Sequence, residues 1–392
     1  MTPAVSRRLG SDGKVRRSEA GLDAHAFRCH VEILRELLED DRAAVGDAWS
    51  AGNPAPGESL EFMGRHGLRG DFARRLRDPA LRARFVGPDL DELDRALRVA
   101  RVRQAGLVAE LLRLVQQLER RGIEFRLLKG PGLATRFFGG IDERDYTDLD
   151  LLVRRDQLAE ADRFLREEGY QKVSGSLLGD RIATQFAHGY DYTRGPFRVD
   201  LHWALVTHFS YRIDEARLWG EQSTVVIAGR ELPVFSDASV VLGHVVSFFE
   251  DLERGVGRLK TVVDLHAILH AVDGTLDWEA FFERCRAERV EAICREVLGL
   301  SIDLLGARER FAGLAAALDG GSEERPPLDW ERATALLEAR PGSLGNKLWA
   351  SHFYACPRAL ALAGWLVSLP FRVAVYDPAA LSRRFGFRTP GS

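Results

Sequence analysis

The chain has 392 residues, with 55 basic and 58 acidic side chains and a formal net charge of -3. A hydrophobic fraction of 45% excludes a disordered chain, the near-neutral balance disfavours a dedicated nucleic-acid binder, and the length predicts two or three domains. Cys29, Cys285, Cys294 and Cys356 are scattered without a CxxC pair, so neither a disulfide framework nor a cysteine zinc site is expected, and a reducing cytoplasm is the expected setting.

Residues 1–24 read as an unstructured lead and 25–121 as an N-terminal helical region. Phe27, Val31, Leu34, Leu37 and Leu38 recur at helical spacing and predict one helix over 25–49. A Gly/Pro-rich connector over 50–59 precedes a short helix near 61–76. Residues 89–121 form a long amphipathic helix, with Leu93, Ala100, Leu107, Leu111 and Leu114 among its apolar stripe, closed by Gly122.

Between 122 and 235 the texture changes to strands. Residues 123–128 read as a strand, Gly130-Pro131-Gly132 as a turn into a helix over 133–138, 149–153 as a second strand, and 157–168 as a helix stopped by Gly169. Two hairpins follow, 187–193 with 197–203 and 224–227 with 231–235, each around a glycine-containing turn. After the N-cap pair Ser236-Asp237, helical spacing returns over 240–252, 258–271, 278–287 and 290–305, so 236–392 reads as a C-terminal helical domain. The apolar run 359–370 is too short to span a bilayer. Burial against neighbouring helices or an oligomer contact accounts for 359–375 more simply than a membrane does.

The strongest chemical signal is Thr147-Asp148-Leu149-Asp150-Leu151-Leu152-Val153. Residues two apart on a strand share a face, and Asp is disfavoured in strands. Asp148 and Asp150 therefore repel unless a cation sits between them, and hard oxygen ligands suit Mg2+ or Mn2+. A solvated loop-to-strand junction is the plain alternative. Upstream, Leu128-Lys129-Gly130-Pro131-Gly132 runs from a strand into a helix N-terminus, where backbone amides attract phosphate. Downstream, Asp200 lies between Val199 and Leu201 on another short strand. If that strand pairs beside 149–153, Asp200 completes a three-carboxylate site.

Taken in order, Lys129-Gly130, then Arg144-x-x-Thr147-Asp148-x-Asp150, then Val199-Asp200-Leu201-His202-Trp203 resemble the uncharacterised nucleotidyltransferase family of the DNA polymerase β-like superfamily. The resemblance implies an α+β fold, a small mixed-sheet nucleotidyltransferase core over 122–235 flanked by N- and C-terminal helical regions. It implies that Asp148 and Asp150 bind two Mg2+ (or Mn2+) ions bridging the phosphates of an NTP. Asp200 would bind the catalytic ion and help deprotonate the acceptor. Gly130 and Gly132 stand where the superfamily has a Gly-Ser pair; Lys129 precedes them and no serine follows, which makes Lys129 a candidate triphosphate contact and puts a hydroxyl contact in doubt. Thr147 belongs to the same nucleotide-binding set. Arg144 would neutralise phosphate or hold the acidic loop, and Lys260 or Arg258 would reach the triphosphate from the following helical domain.

The implied activity is metal-dependent transfer of a nucleoside monophosphate to a hydroxyl or phosphate of a small-molecule, glycan or peptide acceptor, in a bacterial biosynthetic pathway. Two other readings use the same residues: a glycosyltransferase with an NDP-sugar donor, and a non-catalytic antitoxin-like or regulatory module, which an Asp200 turned away from Asp148 and Asp150 would support. His202 is read as pointing to the face opposite Asp200, as a structural partner. His244 is read as a packed helix histidine, and Trp203, Phe209 and Trp219 as core. Only five basic residues are lysine: Lys14, Lys129, Lys172, Lys260 and Lys347. Two of these fall at the positions where phosphate is expected.

Overall fold

A computed structural model describes residues 22–50, 54–76, 78–85, 87–173, 187–206, 210–320 and 327–356. Phe209 and the apolar segment 359–375 lie outside them, as do residues 1–21.

The N-terminal region is α1 (Ala24–Leu38), α2 (Arg42–Ser50), α3 (Pro56–Arg65), α4 (Arg69–Arg75), α5 (Pro79–Arg82) and α6 (Pro88–Arg120). The single helix expected over 25–49 is two, because Asp40 adopts φ +59 and turns the chain. The Asp41 carboxylate then accepts from the Ala44 amide at 3.0 Å and starts the next helix. The helix expected over 61–76 also divides, at Gly67 with φ +75. Part of the expected connector is helical instead: Pro56 occupies the first turn and the Glu58 carboxylate accepts from the Ala55 amide at 3.0 Å.

Among the described residues, seven strands form one mixed sheet: β1 (Phe125–Leu127), β2 (Leu149–Val153), β3 (Gln171–Lys172), β4 (Gly189–Arg194), β5 (Phe197–His202), β6 (Gln222–Ile227) and β7 (Arg230–Phe235). Their order across the sheet is β3-β4-β5-β2-β1-β7-β6. The β2–β5 and β1–β7 pairs are parallel and the others antiparallel. Between strands lie α7 (Gly130–Phe137), α8 (Leu158–Glu167) and α9 (Glu215–Gly220). The C-terminal part contains α10 (Asp237–Arg254), α11 (Leu259–Val272), α12 (Trp278–Ala287), α13 (Glu291–Leu304), α14 (Ala312–Asp319), α15 (Trp330–Leu337) and α16 (Leu344–Ala350). No helix among the described residues is long and apolar enough to cross a membrane.

Strand periodicity divides the core in two. Leu149, Leu151, Val153, Val199 and Leu201 face a cluster built with Leu107, Leu111, Leu114 and Leu118 of α6 and Phe164 of α8. Leu152, between them on β2, joins a second cluster that holds Phe27 and Phe62 from the N-terminal helices and Val245 and Phe249 from α10. The two helical regions therefore share one core, and the His66–Glu338 contact at 2.8 Å bridges them. Asp150 also lies on this second face, so the sheet presents its acids to the helical part.

Candidate active site

The register of β2 against β5 builds the site. Asp150 pairs with Asp200 directly across the parallel ladder, and Leu151 with Leu201. Asp200 is also opposite Asp191 on the antiparallel neighbour β4. In-register neighbours project to the same face, so Asp191, Asp200 and Asp150 form a row. Asp148, at the entry to β2, is close enough to add its charge to both Asp150 and Asp200.

Crowding divides the proton affinities. Burial first, then the charges of Asp150, Asp148 and Asp191, push the Asp200 carboxyl up to about 8, against the opposing Arg198. Asp148 is also raised, by burial and then by Asp150. Burial opposes ionisation of Asp150 as well, but the facing His202 and the Lys129 and Arg144 cations outweigh it and hold it below the usual carboxylate range. Three carboxyl groups that resist common ionisation at neutral pH are suited to a divalent cation, which removes the repulsion. Donor atoms of Asp150, Asp200 and His202 all lie within 4.8 Å of one another, as a shared ion requires. Arg198 donates to Asp200 Oδ1 at 3.1 Å and to Asp191 Oδ1 at 3.2 Å, a partial neutralisation from the solvent side.

His202 does not point away from Asp200. The two are separated by two residues on β5, so they share a face by the same period that unites Asp148 and Asp150. His202 Nε2 stands 3.5 Å from Asp150 Oδ1.

The strand-to-helix turn lies beside this face. Gly130 has φ +61, and a Cβ there would stand 3.3 Å from the Asp148 carbonyl oxygen, so glycine lets the turn close on the acidic strand. Leu128 N donates to the Asp150 carbonyl at 3.1 Å, tying β1 to β2 at this level. Gly132 serves packing: a Cβ would meet Leu127 Cβ at 3.2 Å. Lys129 Nζ donates to Ser247 Oγ of α10 at 3.1 Å. Leu128, Lys129, Asp150, His202, His244 and Ser247 line part of a cavity of about 40 Å3 between the sheet and α10. His244 is packed, as expected, with Nδ1 donating to the Val240 carbonyl at 3.0 Å. Burial, then Lys129, lowers it to about 4, so it is neutral.

Arg144 and Lys260 both hold the loop that leads to Asp148. Arg144 Nε and Nη2 donate to the two Asp264 carboxylate oxygens of α11 at 2.6 and 2.7 Å, and both side chains are 5% exposed. Arg144 thus holds the acidic loop to the helical part. Lys260 Nζ donates to the Asp145 carbonyl at 2.5 Å and lies 3.6 Å from Asp71. The same segment is gripped by α6, where Arg103 Nε donates to the Tyr146 carbonyl at 3.1 Å and Gln104 Nε2 to the Arg144 carbonyl at 2.5 Å. The Asp145 amide donates to Asp71 Oδ1 at 3.0 Å. Three helices and the loop therefore fix the approach to Asp148. Thr147 is exposed at the rim. Trp203 and Trp219 are buried at 2% and 6% exposure, as core residues.

Asp264, Ser247 and Asp191 were not among the expected site residues. Asp264 lies 120 residues from its partner, a separation that no local pattern reports. His202 was within reach of the strand period.

The family model described as "Uncharacterised nucleotidyltransferase" matches residues 55–306. Two solved structures are similar. A solution structure of the antibiotic-resistance factor ANT(2'')-Ia has 16% identity and a TM-score of 0.34, covering 54% of this chain and 96% of that one. A crystal structure of an antigenic nucleotidyltransferase-like protein from Paracoccidioides brasiliensis has 15% identity and a TM-score of 0.31, covering 55% of this chain and 91% of that one. No curated relative matches the chain.

Proposed function

The chain belongs to this nucleotidyltransferase family, and on that premise we propose that it transfers a nucleoside monophosphate from an NTP to an acceptor and releases pyrophosphate. The observation that carries the reading is the Asp150–Asp200 pair across β2 and β5, with Asp148 two residues before Asp150. Asp148, Asp150 and Asp200 would hold divalent metal, Mg2+ or Mn2+. When bound, such ions neutralise charge on the reacting phosphates and align the attacking and leaving oxygens.

The remaining roles fall to the chain's own groups. Lys129 is the cation nearest the turn at Gly130 and supports the reading as a contact for the triphosphate tail, on release from Ser247. Asp200, which faces Asp150 across the strand pair, is the carboxylate proposed to take the acceptor's proton. Arg144 and Lys260 act as positioning residues for Asp148 through Asp264 and the Asp145 carbonyl. The acceptor is proposed to be a small molecule, glycan or peptide, entering between the sheet and the helices.

The test is a pyrophosphate-release assay with the four NTPs, paired with calorimetry of NTP binding in the presence of Mg2+ and Mn2+. Asp150→Asn should abolish release while leaving the thermal unfolding profile in EDTA near that of the native protein. A protein that binds no metal–NTP, or an Asp150→Asn variant that keeps full release, would sink the proposal. A thermal shift with NDP-sugars alone would move the donor assignment to glycosyl transfer.

A further inference from the structure

We propose that His202 is a metal ligand together with Asp150 and Asp200, and that this nitrogen donor makes the site prefer Mn2+ to Mg2+. The inference rests on the metal-dependent reading above and adds to it a residue outside the three acids.

Three observations carry it. The first is register: His202 pairs with Leu152 while Asp200 pairs with Asp150, so all the polar groups of this strand pair project to one face. Donor atoms of Asp150, Asp200 and His202 lie within 4.8 Å of one another, and His202 Nε2 is 3.5 Å from Asp150 Oδ1. Neighbouring ligands of an octahedral ion with bonds slightly over 2 Å stand about 3 Å apart, so small side-chain rotations bring the set onto one ion.

The second is the state of the ring. Both His202 nitrogens are buried and neither makes a well-formed hydrogen bond; Nε2 has only the long 3.5 Å contact to Asp150 Oδ1. Ring nitrogens shielded from water without good hydrogen bonds forgo those they would make in solvent, and a ligand role supplies the missing interaction for Nε2. The third is the way the ring is aimed. Its Nδ1 edge is against β4, where Gly189 leaves room: a Cβ there would stand 3.1 Å from Nδ1 and 3.2 Å from the Leu201 carbonyl oxygen. His188 stacks on the ring with centroids 5.5 Å apart and planes 10° from parallel. The stack and the glycine turn Nε2, rather than Nδ1, toward Asp150.

The chemical consequence follows from donor softness. Mg2+ favours oxygen ligands, whereas an imidazole raises affinity for transition ions, of which Mn2+ best tolerates a mainly carboxylate set. His202 as a ligand therefore distinguishes this site from one built of three carboxylates alone.

The experiment uses the full chain with Mn2+ and no nucleotide, so that no base nitrogen is present. Electron spin-echo modulation of bound Mn2+ should show a directly coordinated nitrogen. Its pattern should change when the protein is made with 15N-histidine, which leaves the fold untouched. In His202→Gln the nitrogen signal should disappear, and Mn2+ affinity should fall about tenfold or more, the scale on which metal sites respond to loss of a supporting group; Mg2+ affinity should change by less than about threefold. Mn2+ bound in an Asp150-dependent manner with no nitrogen signal overturns the role of His202 and leaves the nucleotidyltransferase reading standing. A nitrogen signal that survives in His202→Gln overturns it too, since another histidine is then the ligand. A protein that takes up no Mn2+ overturns the role of His202, while metal–NTP binding remains the separate test of the nucleotidyltransferase reading.

Discussion

Replacing Asp200 by asparagine should stabilise the metal-free protein at alkaline pH while removing its response to metal. Asp200 is in register with Asp150 on one side and Asp191 on the other, and its carboxyl is pushed up to about 8 by burial and by these neighbours. In an unfolded chain an Asp titrates near 3.9. A folded pKa above the unfolded one means that the folded state holds the proton more tightly. The associated stability is complete below about pH 4 and is lost as pH rises through about 8. At about 1.4 kcal/mol per pH unit the full interval corresponds to roughly 6 kcal/mol. The side chain is 19% exposed, and the proton is shared with Asp148, whose carboxyl is raised as well. Solvent contact and sharing reduce the expected effect to about 2 kcal/mol. In EDTA, Asp200→Asn should therefore equal the native protein at pH 5 and exceed it by about 2 kcal/mol at pH 8.5, or about 2–4 °C in midpoint for a chain of this size. Saturating metal should reverse the order: at a hundred times its dissociation constant, an ion stabilises the native protein by about 2.7 kcal/mol, and the variant should gain little. Scanning fluorimetry from pH 5 to 8.5, with EDTA or with Mg2+ or Mn2+, measures both. A variant destabilised equally at every pH in EDTA would refute the crowding argument and return Asp200 to an ordinary structural role.

Three further outcomes follow from the surrounding contacts. Asp264→Ala leaves the Arg144 guanidinium buried without its partner and should cost about 3–5 kcal/mol in urea unfolding, whereas the Arg144→Met/Asp264→Leu double variant should recover much of it. Equal losses in single and double variants would show that the pair is not coupled. Asp264 itself is held below the usual carboxylate range against burial by Arg144 and Lys260; its contribution is present above about pH 4 and lost as pH falls through its lower folded value, so acidification should cost the native protein more stability in urea unfolding than it costs Asp264→Asn. Lys129→Ala should weaken metal–NTP binding in calorimetry by about tenfold or more, the value of a charge-assisted hydrogen bond. Lys172→Ala, which removes a cation lying 3.2 Å from the Tyr190 ring centre, should affect stability and leave NTP affinity within about twofold; equal effects on affinity would count against the phosphate role of Lys129. Gly130→Ala should cost about 1–2 kcal/mol, because φ +61 suits glycine and the new methyl meets the Asp148 carbonyl oxygen at 3.3 Å. It should also lower kcat by shifting Asp148, and unchanged turnover would separate the turn from the site.

Local chemistry made much of this site legible in the residues alone. The alternation in Leu149–Val153 marked the strand at its observed bounds, and period two placed Asp148 and Asp150 on a face distinct from Leu149, Leu151 and Val153. The turn glycines marked the start of α7, which begins at Gly130 rather than 133. His202 was equally legible: its spacing from Asp200 obeys the same period, and the expectation of an opposite face misapplied it. Helix breaks at Asp40 and Gly67 were harder, since an apolar stripe continues across them while a single backbone angle ends the helix.

Sequence by itself determined which residues carry charge, which are apolar, and which face of its own strand each one occupies, because these depend on side chains and a repeat of a few residues. Tertiary structure alone decided that β5 lies beside β2 in parallel, bringing Asp200 against Asp150. It likewise decided that Asp264 meets Arg144 and that Lys260 meets the Asp145 carbonyl. Periodicity specifies a face but not a neighbour. The neighbour is chosen by burying the two apolar cores together, a condition on the whole chain that no short segment contains.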